Sequence, residues 1–164
     1  MFEKEKYSSY KDLLEQSIKR TFPIYGNDDQ SNRFEVVSLP SQGYLFGLAY
    51  CNYGVEPQIL LVKSKNNLLI GFEETVIGLD YTTQIEIFRK KDISPFYEFI
   101  TTKYCILAVF ELGIYAYNME LTQIWSLGFR DVVVNYHVVN DENLMINCAN
   151  GDQSTFSLKD GSPL

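Results

Sequence analysis

The side chains able to act as acids, bases, nucleophiles or metal ligands are few in this chain, and their spacing keeps them apart. His137 is the single histidine. It lies in the run Val132-Val133-Val134-Asn135-Tyr136-His137-Val138-Val139, where alternation groups it with Val133, Asn135 and Val139. A satisfied strand histidine is expected there, not a general base. Cys51, Cys105 and Cys148 form an odd set with no CxxC pair, and each has apolar or strand-like neighbours. Buried, reduced thiols are therefore expected. The carboxylate pairs Glu73-Glu74 and Asp141-Glu142 are adjacent in sequence. Neighbours on a strand point to opposite faces, so neither pair makes an acid/base dyad by spacing. Asn150-Gly151-Asp152 has the composition of a calcium loop but not the full EF-hand spacing, and reads as a turn between strands. No GxSxG, GxGxxG or GxxxxGK[ST] occurs, so neither a nucleophile elbow nor a phosphate cradle is written locally. The expectation is a protein that is not an enzyme, with no catalytic residue, no metal and no cofactor.

Composition narrows the class further. The chain has 164 residues, 46% of them apolar and 21% charged, and is expected to form a single domain over 1–164. Its 21 acidic and 14 basic residues give a net charge of -7. Sequence-independent nucleic-acid binding relies on Lys and Arg against phosphate, so direct nucleic-acid binding is excluded as an expectation. The first twenty residues carry nine charges and no apolar signal-peptide core. No run of 18 apolar residues exists, so no membrane helix is expected, and a cytoplasmic location fits.

The elements that would position any site fall into two textures. A helix is predicted over 8–20. Ser8 or Ser9 supplies the N-cap, Tyr10, Leu14 and Ile18 recur at spacing four along one face, and Pro23 ends it. The polar stretch 26–32 follows as a loop. Beyond it, short runs rich in Val, Ile, Tyr and Phe alternate with Gly, Asn and Asp turns. They cover 34–39, 44–51, 59–63, 68–72, 76–79, 84–88, 96–100, 104–110, 114–117, 122–127, 132–139, 144–148 and 155–158. Such composition suits pleated, half-buried strands and an antiparallel all-β fold over 34–161.

Internal similarity gives this pattern a period. Leu68-Leu69-Ile70-Gly71-Phe72-Glu73 falls on Ile106-Leu107-Ala108-Val109-Phe110-Glu111, with Phe72 on Phe110. Val76-Ile77-Gly78-Leu79-Asp80 falls on Ile114-Tyr115-Ala116-Tyr117-Asn118, and Thr83-Gln84-Ile85 on Thr122-Gln123-Ile124. A weaker third copy begins at Leu144-Met145-Ile146-Asn147-Cys148 and runs through 155–161. A period near forty made of short strands resembles one blade of a β-propeller, a four-stranded meander. The likeness is to quinoprotein-type or degenerate WD-repeat blades. The Gly-His and Trp-Asp signatures are absent, and Trp125 is followed by Ser126. The resemblance covers residues 59–161 and implies architecture, not activity. Within one unit the second strand, such as 106–110, is continuously apolar, as a strand covered on both faces should be. The fourth, 123–127, reads as half exposed. Residues 34–161 hold 128 positions, about three units, which is short of a closed ring. A partial or half-propeller stack of meander sheets is expected, with a β-sandwich as the alternative. Either leaves strand edges to be covered by the helix, a second copy or a partner.

Charge then marks an edge. Residues 92–164 hold nine acids against three bases, a net -6 of the total. In a meander, the turns after the second strand and the connections after the fourth strand emerge together. That places Glu73, Glu74, Glu111 and Asp152 on one edge, joined by Asp92, Glu98 and Asp131 from the connections. Phe96, Tyr97 and Phe129 lie beside them, as do Arg89, Lys90, Lys91 and Arg130. Aromatic area with carboxylate steering suits a surface that binds a basic protein. In size, charge and texture the chain is similar to immunity proteins of bacterial contact-dependent or polymorphic toxin systems, which often block basic nuclease toxins. No residue carries over from that similarity. Two other readings stand beside it: a subunit or adaptor completing its scaffold by self-association or docking, and a ligand carrier or enzyme with a pocket lined by Tyr and Phe.

Overall fold

The computed structural model describes residues 2–27, 30–52 and 54–164. It is an all-β structure with one α-helix and four sheets, in two compact units. Met1–Glu56 with Tyr81–Thr83 form the first unit, and Pro57–Asp80 with Gln84–Leu164 form the second.

The first unit holds strands β1 (Glu3–Tyr7), β2 (Ile24–Gly26), β3 (Arg33–Leu39) and β4 (Tyr44–Tyr50), in the order β1-β3-β4-β2. Helix α1 (Tyr10–Arg20) runs between β1 and β2. The Ser9 hydroxyl accepts from the Asp12 N–H at 3.1 Å and donates to the Asp12 carboxylate at 2.8 Å, so the cap is reciprocal. The helix stops at Thr21, which adopts a left-handed φ of 56° and returns its N–H to the Ser17 carbonyl. Pro23 follows this terminus and does not cause it. The buried helical residue is Leu13, packed among Phe22, Val36 and Ala49, whereas Leu14 and Ile18 face solvent. This corrects the predicted face. Tyr10 does pack against this cluster, but the inward line runs through Tyr10 and Leu13 at spacing three.

β1 and β2 went unpredicted. The β1 sequence Glu-Lys-Glu-Lys-Tyr has no strand texture, yet it pairs antiparallel with β3 from Glu3↔Ser38 to Tyr7↔Phe34. Ion pairs hold it: Lys4 lies 3.3 Å from the buried Glu35, and Glu5 receives both terminal nitrogens of Arg20 at 2.8 and 3.2 Å. β2 joins β4 in parallel. Residues 34–161 therefore contribute to four sheets, because the first borrows both outer strands from before residue 34. Asp28 and Asp29 of the predicted polar loop lie outside the described residues.

The second unit contains three successive meanders. The first is β5 (Gln58–Val62), β6 (Asn67–Phe72), β7 (Thr75–Asp80) and β8 (Ile85–Lys91). The second is β9 (Phe96–Thr101), β10 (Ile106–Phe110), β11 (Gly113–Tyr117) and β12 (Gln123–Gly128). The third is β13 (Val133–Val139), β14 (Asn143–Cys148) and β15 (Gln153–Ser157), extended by a bridge between Phe156 and Pro163. The middle sheet is covered on both faces, as its apolar run requires. Ile106, Ala108 and Phe110 pack with Leu69, Val76 and Phe96, while Leu107 and Val109 pack with Leu144, Ile146 and Leu158. All five residues of β10 are buried. On β12 only Trp125 is buried, and its indole N–H donates to the Leu158 carbonyl at 3.1 Å. Among the described residues no helix is long and apolar enough to cross a membrane.

Candidate protein-binding rim

One end of the second unit is built by a repeated backbone arrangement. Glu73-Glu74 form the two-residue turn between β6 and β7, and Glu111-Leu112 the corresponding turn between β10 and β11. The connection from β8 to β9 reaches back to its own sheet: the Asp92 N–H donates to the Glu74 carbonyl at 2.8 Å and the Phe96 N–H to the Glu73 carbonyl. It also reaches forward, because its Pro95 carbonyl accepts from the Glu111 N–H at 2.9 Å. The next connection repeats all three bonds. Phe129 donates to Leu112, Val133 donates to Glu111, and the Val132 carbonyl accepts from Ala149, each at 2.8 Å. Backbone bonds of this kind fix the path of the connecting segments, and side chains within them satisfy further N–H groups, as Ser94 Oγ does for the Leu112 N–H at 3.1 Å.

The predicted rim residues then separate by environment. Glu74 and Asp152 are exposed, and Glu73, Glu111 and Asp131 are partly exposed. Asp131 accepts from the Val132 N–H at 2.7 Å, and Asp152 accepts from the Asn150 side-chain amide at 2.8 Å. Burial, then the Asp131 and Asp152 charges, push the Cys148 thiol up, so these two carboxylates share one neighbourhood. Among the described residues no Lys or Arg forms an ion pair with Glu74, Glu111, Asp131 or Asp152.

Asp92 and Glu98 serve the frame. Asp92 accepts from the Ile93 and Ser94 N–H groups, the Ser94 hydroxyl and the Tyr115 hydroxyl. Burial raises its carboxyl, but these donors outweigh burial and hold it below the usual aspartate range. Burial and the Asp92 hydrogen bond push the Tyr115 phenol up to about 12. Glu98 lies inside β9, not in a connection, and accepts from the Tyr136 hydroxyl of β13 at 2.7 Å. Tyr97 is half-buried, its phenol raised first by burial and then by Glu111.

The aromatic part of the edge is largely interior. Phe96 is 1% exposed and packs over Gly71, where a Cβ would lie 2.2 Å from the ring. It fills the space between two sheets and is not offered to a partner. Phe129 is half-buried, edge-on to Phe156 at 6.2 Å. Tyr115 and Tyr136, which organise the acids, were not singled out as site residues. Their signal was faint: a Tyr two residues before Tyr117 on one strand, and a Tyr beside the lone His on another.

His137 is exposed on β13, opposite Met145, and a bulge between Val133 and Asn135 breaks the alternation that grouped it with Val133. Only Cys105 is fully buried, and Cys51 and Cys148 are half-buried; no disulfide joins the three. Among the described residues no cluster of His, Cys, Asp or Glu has the arrangement of a metal site.

No family model matches the chain, and no curated protein matches it in sequence. Solved structures resemble it in fold. The computationally designed Ika4 protein superposes with a TM-score of 0.50 at 12% identity, over 71% of this chain and 74% of that one. BamB from Moraxella catarrhalis gives 0.50 at 10% identity, over 84% and 44%. The dihydro-heme d1 dehydrogenase NirN, in complex with DHE, gives 0.54 at 9% identity, over 80% and 32%. The chain thus spans less than half the length of BamB and of NirN. These neighbours are propeller-like and agree with the blade repeats, and at such identities the likeness concerns fold alone.

Proposed function

We propose that this chain is a non-catalytic protein-binding protein whose acidic rim captures a basic protein. More narrowly, it acts as a cytoplasmic immunity protein that lies over the active surface of a basic nuclease toxin. One observation carries the reading: Glu74, Glu111, Asp131 and Asp152 stand on a rim fixed by backbone bonds, with no cation paired to them among the described residues. The backbone that carries these carboxylates is held in place, so they present a defined acidic edge to incoming Lys and Arg. Complementary charge of this kind raises association rate and excludes wrong partners. The net -6 over residues 92–164 extends the field beyond contact range. Neither nucleic acid nor a cofactor enters the reading.

The test presents the full chain to purified basic nuclease toxin domains, reading both affinity and nuclease inhibition. The expected result is a one-to-one complex with at least one of them that suppresses cleavage. The fourfold variant Glu74→Lys, Glu111→Lys, Asp131→Lys, Asp152→Lys should weaken it by about two orders of magnitude or more, as close interfacial charge pairs do. Unchanged affinity after reversal would remove the rim from the interface.

A further inference from the structure

The same unit has an open strand edge. β8 is the last strand in the order β5-β6-β7-β8, so among the described residues it pairs with β7 alone. An edge strand presents a row of unpaired N–H and C=O groups, a template for one more strand. Beside β8 lies an open groove of about 390 Å³, lined by residues 87–90, Tyr117 and residues 121–123. Consecutive strand residues point to opposite faces. A groove that Phe88, Arg89 and Lys90 all line therefore runs along the edge of β8 and not over one face. Two large apolar side chains of the strand stand in solvent: Ile85 is 63% exposed and Ile87 44%. A bulge leaves Ile87 with no register partner on β7.

Charge says what this edge accepts. Residues 85–91 hold one acid and three bases, a net +2 within a chain of net -7. The acid, Glu86, is taken up by Arg89, whose Nε and terminal nitrogen lie 3.1 and 2.7 Å from its two carboxylate oxygens. Lys90 rests over the Tyr115 ring at 4.2 Å, and Lys91 stands in solvent. Neither lysine forms an ion pair among the described residues. Lysines on an edge deter pairing with a like-charged strand, and a second copy of β8 would set +2 against +2. The same lysines favour an acidic one. We propose that the edge of β8 takes an added strand, an extended acidic segment of a partner protein. It runs antiparallel, with its acids opposite Lys90 and Lys91 and its apolar side chains beside Ile85 and Ile87. The antiparallel sense continues the meander. In such an addition main-chain bonds supply affinity, while side-chain contacts with the groove and the lysines supply the choice of sequence. The acidic rim meets a basic protein through other residues, so either reading can fail without the other.

The test titrates ¹⁵N-labelled full chain with the peptide acetyl-Glu-Glu-Ser-Thr-Val-Thr-Val-amide, followed by amide chemical shifts and hydrogen exchange. The expected result is saturable movement of amides in residues 85–91 and 121–123 below about 1 mM peptide, with slower exchange in 85–91. The peptide of reversed sequence should bind at least about tenfold more weakly, because its acids then fall opposite Ile85. An analogue N-methylated at every residue keeps the charges but loses the main-chain donors, and should not bind. Lys91→Glu and Ile87→Thr, both at exposed positions, should keep the amide spectrum and each weaken the peptide by about three- to tenfold. Lys63→Gln, on the turn between β5 and β6, should change nothing. The proposal is overturned by no saturable shift up to about 5 mM, by equal binding of the reversed or N-methylated peptide, or by parental affinity in a well-folded Lys91→Glu chain. Light scattering without peptide adds one more refuting result: a dimer lost on Ile87→Thr would make the occupant a second copy.

Discussion

Replacing Tyr115 by Phe isolates one atom of the frame behind the rim. The Tyr115 hydroxyl donates to Asp92, whose other donors are Ser94 and two backbone N–H groups. Hydrogen bonds to charged groups contribute about 1.5–3 kcal/mol. Asp92 keeps three donors, so a loss of about 2 kcal/mol is expected. For a chain of this size that is a fall in melting midpoint of about 4–8 °C. Urea unfolding followed by Trp125, the single tryptophan and a core residue of the second unit, reads the change in the right place. The pH dependence has a definite sign. Asp92 titrates below its ordinary value in the folded chain, so its contribution is present above about pH 4 and is lost as pH falls through the folded value. The gap between parent and Tyr115→Phe should be full at pH 7 and close in acid. The Asp92 carboxyl carbon should titrate higher in the variant. At the alkaline end, the Tyr115 phenol is raised to about 12, so its contribution is complete below about pH 10 and is lost as pH approaches about 12. A stability difference under about 0.5 kcal/mol at pH 7, or an unmoved Asp92 titration, would refute this account of the junction.

Gly71→Ala should cost about 1–3 kcal/mol, because the new Cβ would stand 2.2 Å from the Phe96 ring, and Phe96→Leu in the same chain should recover part of it, read by urea midpoint. On α1, Leu13→Ala should cost about 2–5 kcal/mol, while Ile18→Gln should stay within about 0.5 kcal/mol of the parent. Comparable losses from Leu13 and Ile18 would overturn the helix orientation. Leu107→Ala, in the strand packed from both sides, should also cost about 2–5 kcal/mol, and a loss below about 1 kcal/mol would contradict that burial.

The repeat of 59–161 was readable because the first two meanders carry the same local signals, a largely apolar second strand and a two-residue turn after it, while the third, with Asn147 in β14 and a four-residue turn after it, repeats them weakly. Each of the thirteen predicted strand runs overlaps one strand, with ends that differ by up to a few residues. β1 was hidden because nothing in Glu-Lys-Glu-Lys-Tyr favours a strand; its place comes from pairing with β3 and from Glu35 and Arg20, both far along the chain. The helix was placed correctly but turned, since spacing four through Leu14 and Ile18 competes with spacing three through Leu13. The rim followed from meander topology, which brings turns and connections to one end. What composition could not separate was its carboxylates by task. Asp92 and Glu98 are engaged by tyrosine hydroxyls from other strands, and Phe96 is core because Gly71 makes room for it. Those are long-range matches, with no signature near the residues themselves.

In the proposed function, Glu74, Glu111, Asp131 and Asp152, which have no cationic partner among the described residues, steer a basic protein onto this chain. Stopped-flow association of the full chain with a basic nuclease toxin domain that it binds, at low and high salt, tests it most directly. The account predicts an association rate that falls by about tenfold or more between about 50 and 300 mM salt, and a reversed-rim variant that is slow at both. An association rate independent of salt, or one unaltered by reversing Glu74, Glu111, Asp131 and Asp152, would contradict it.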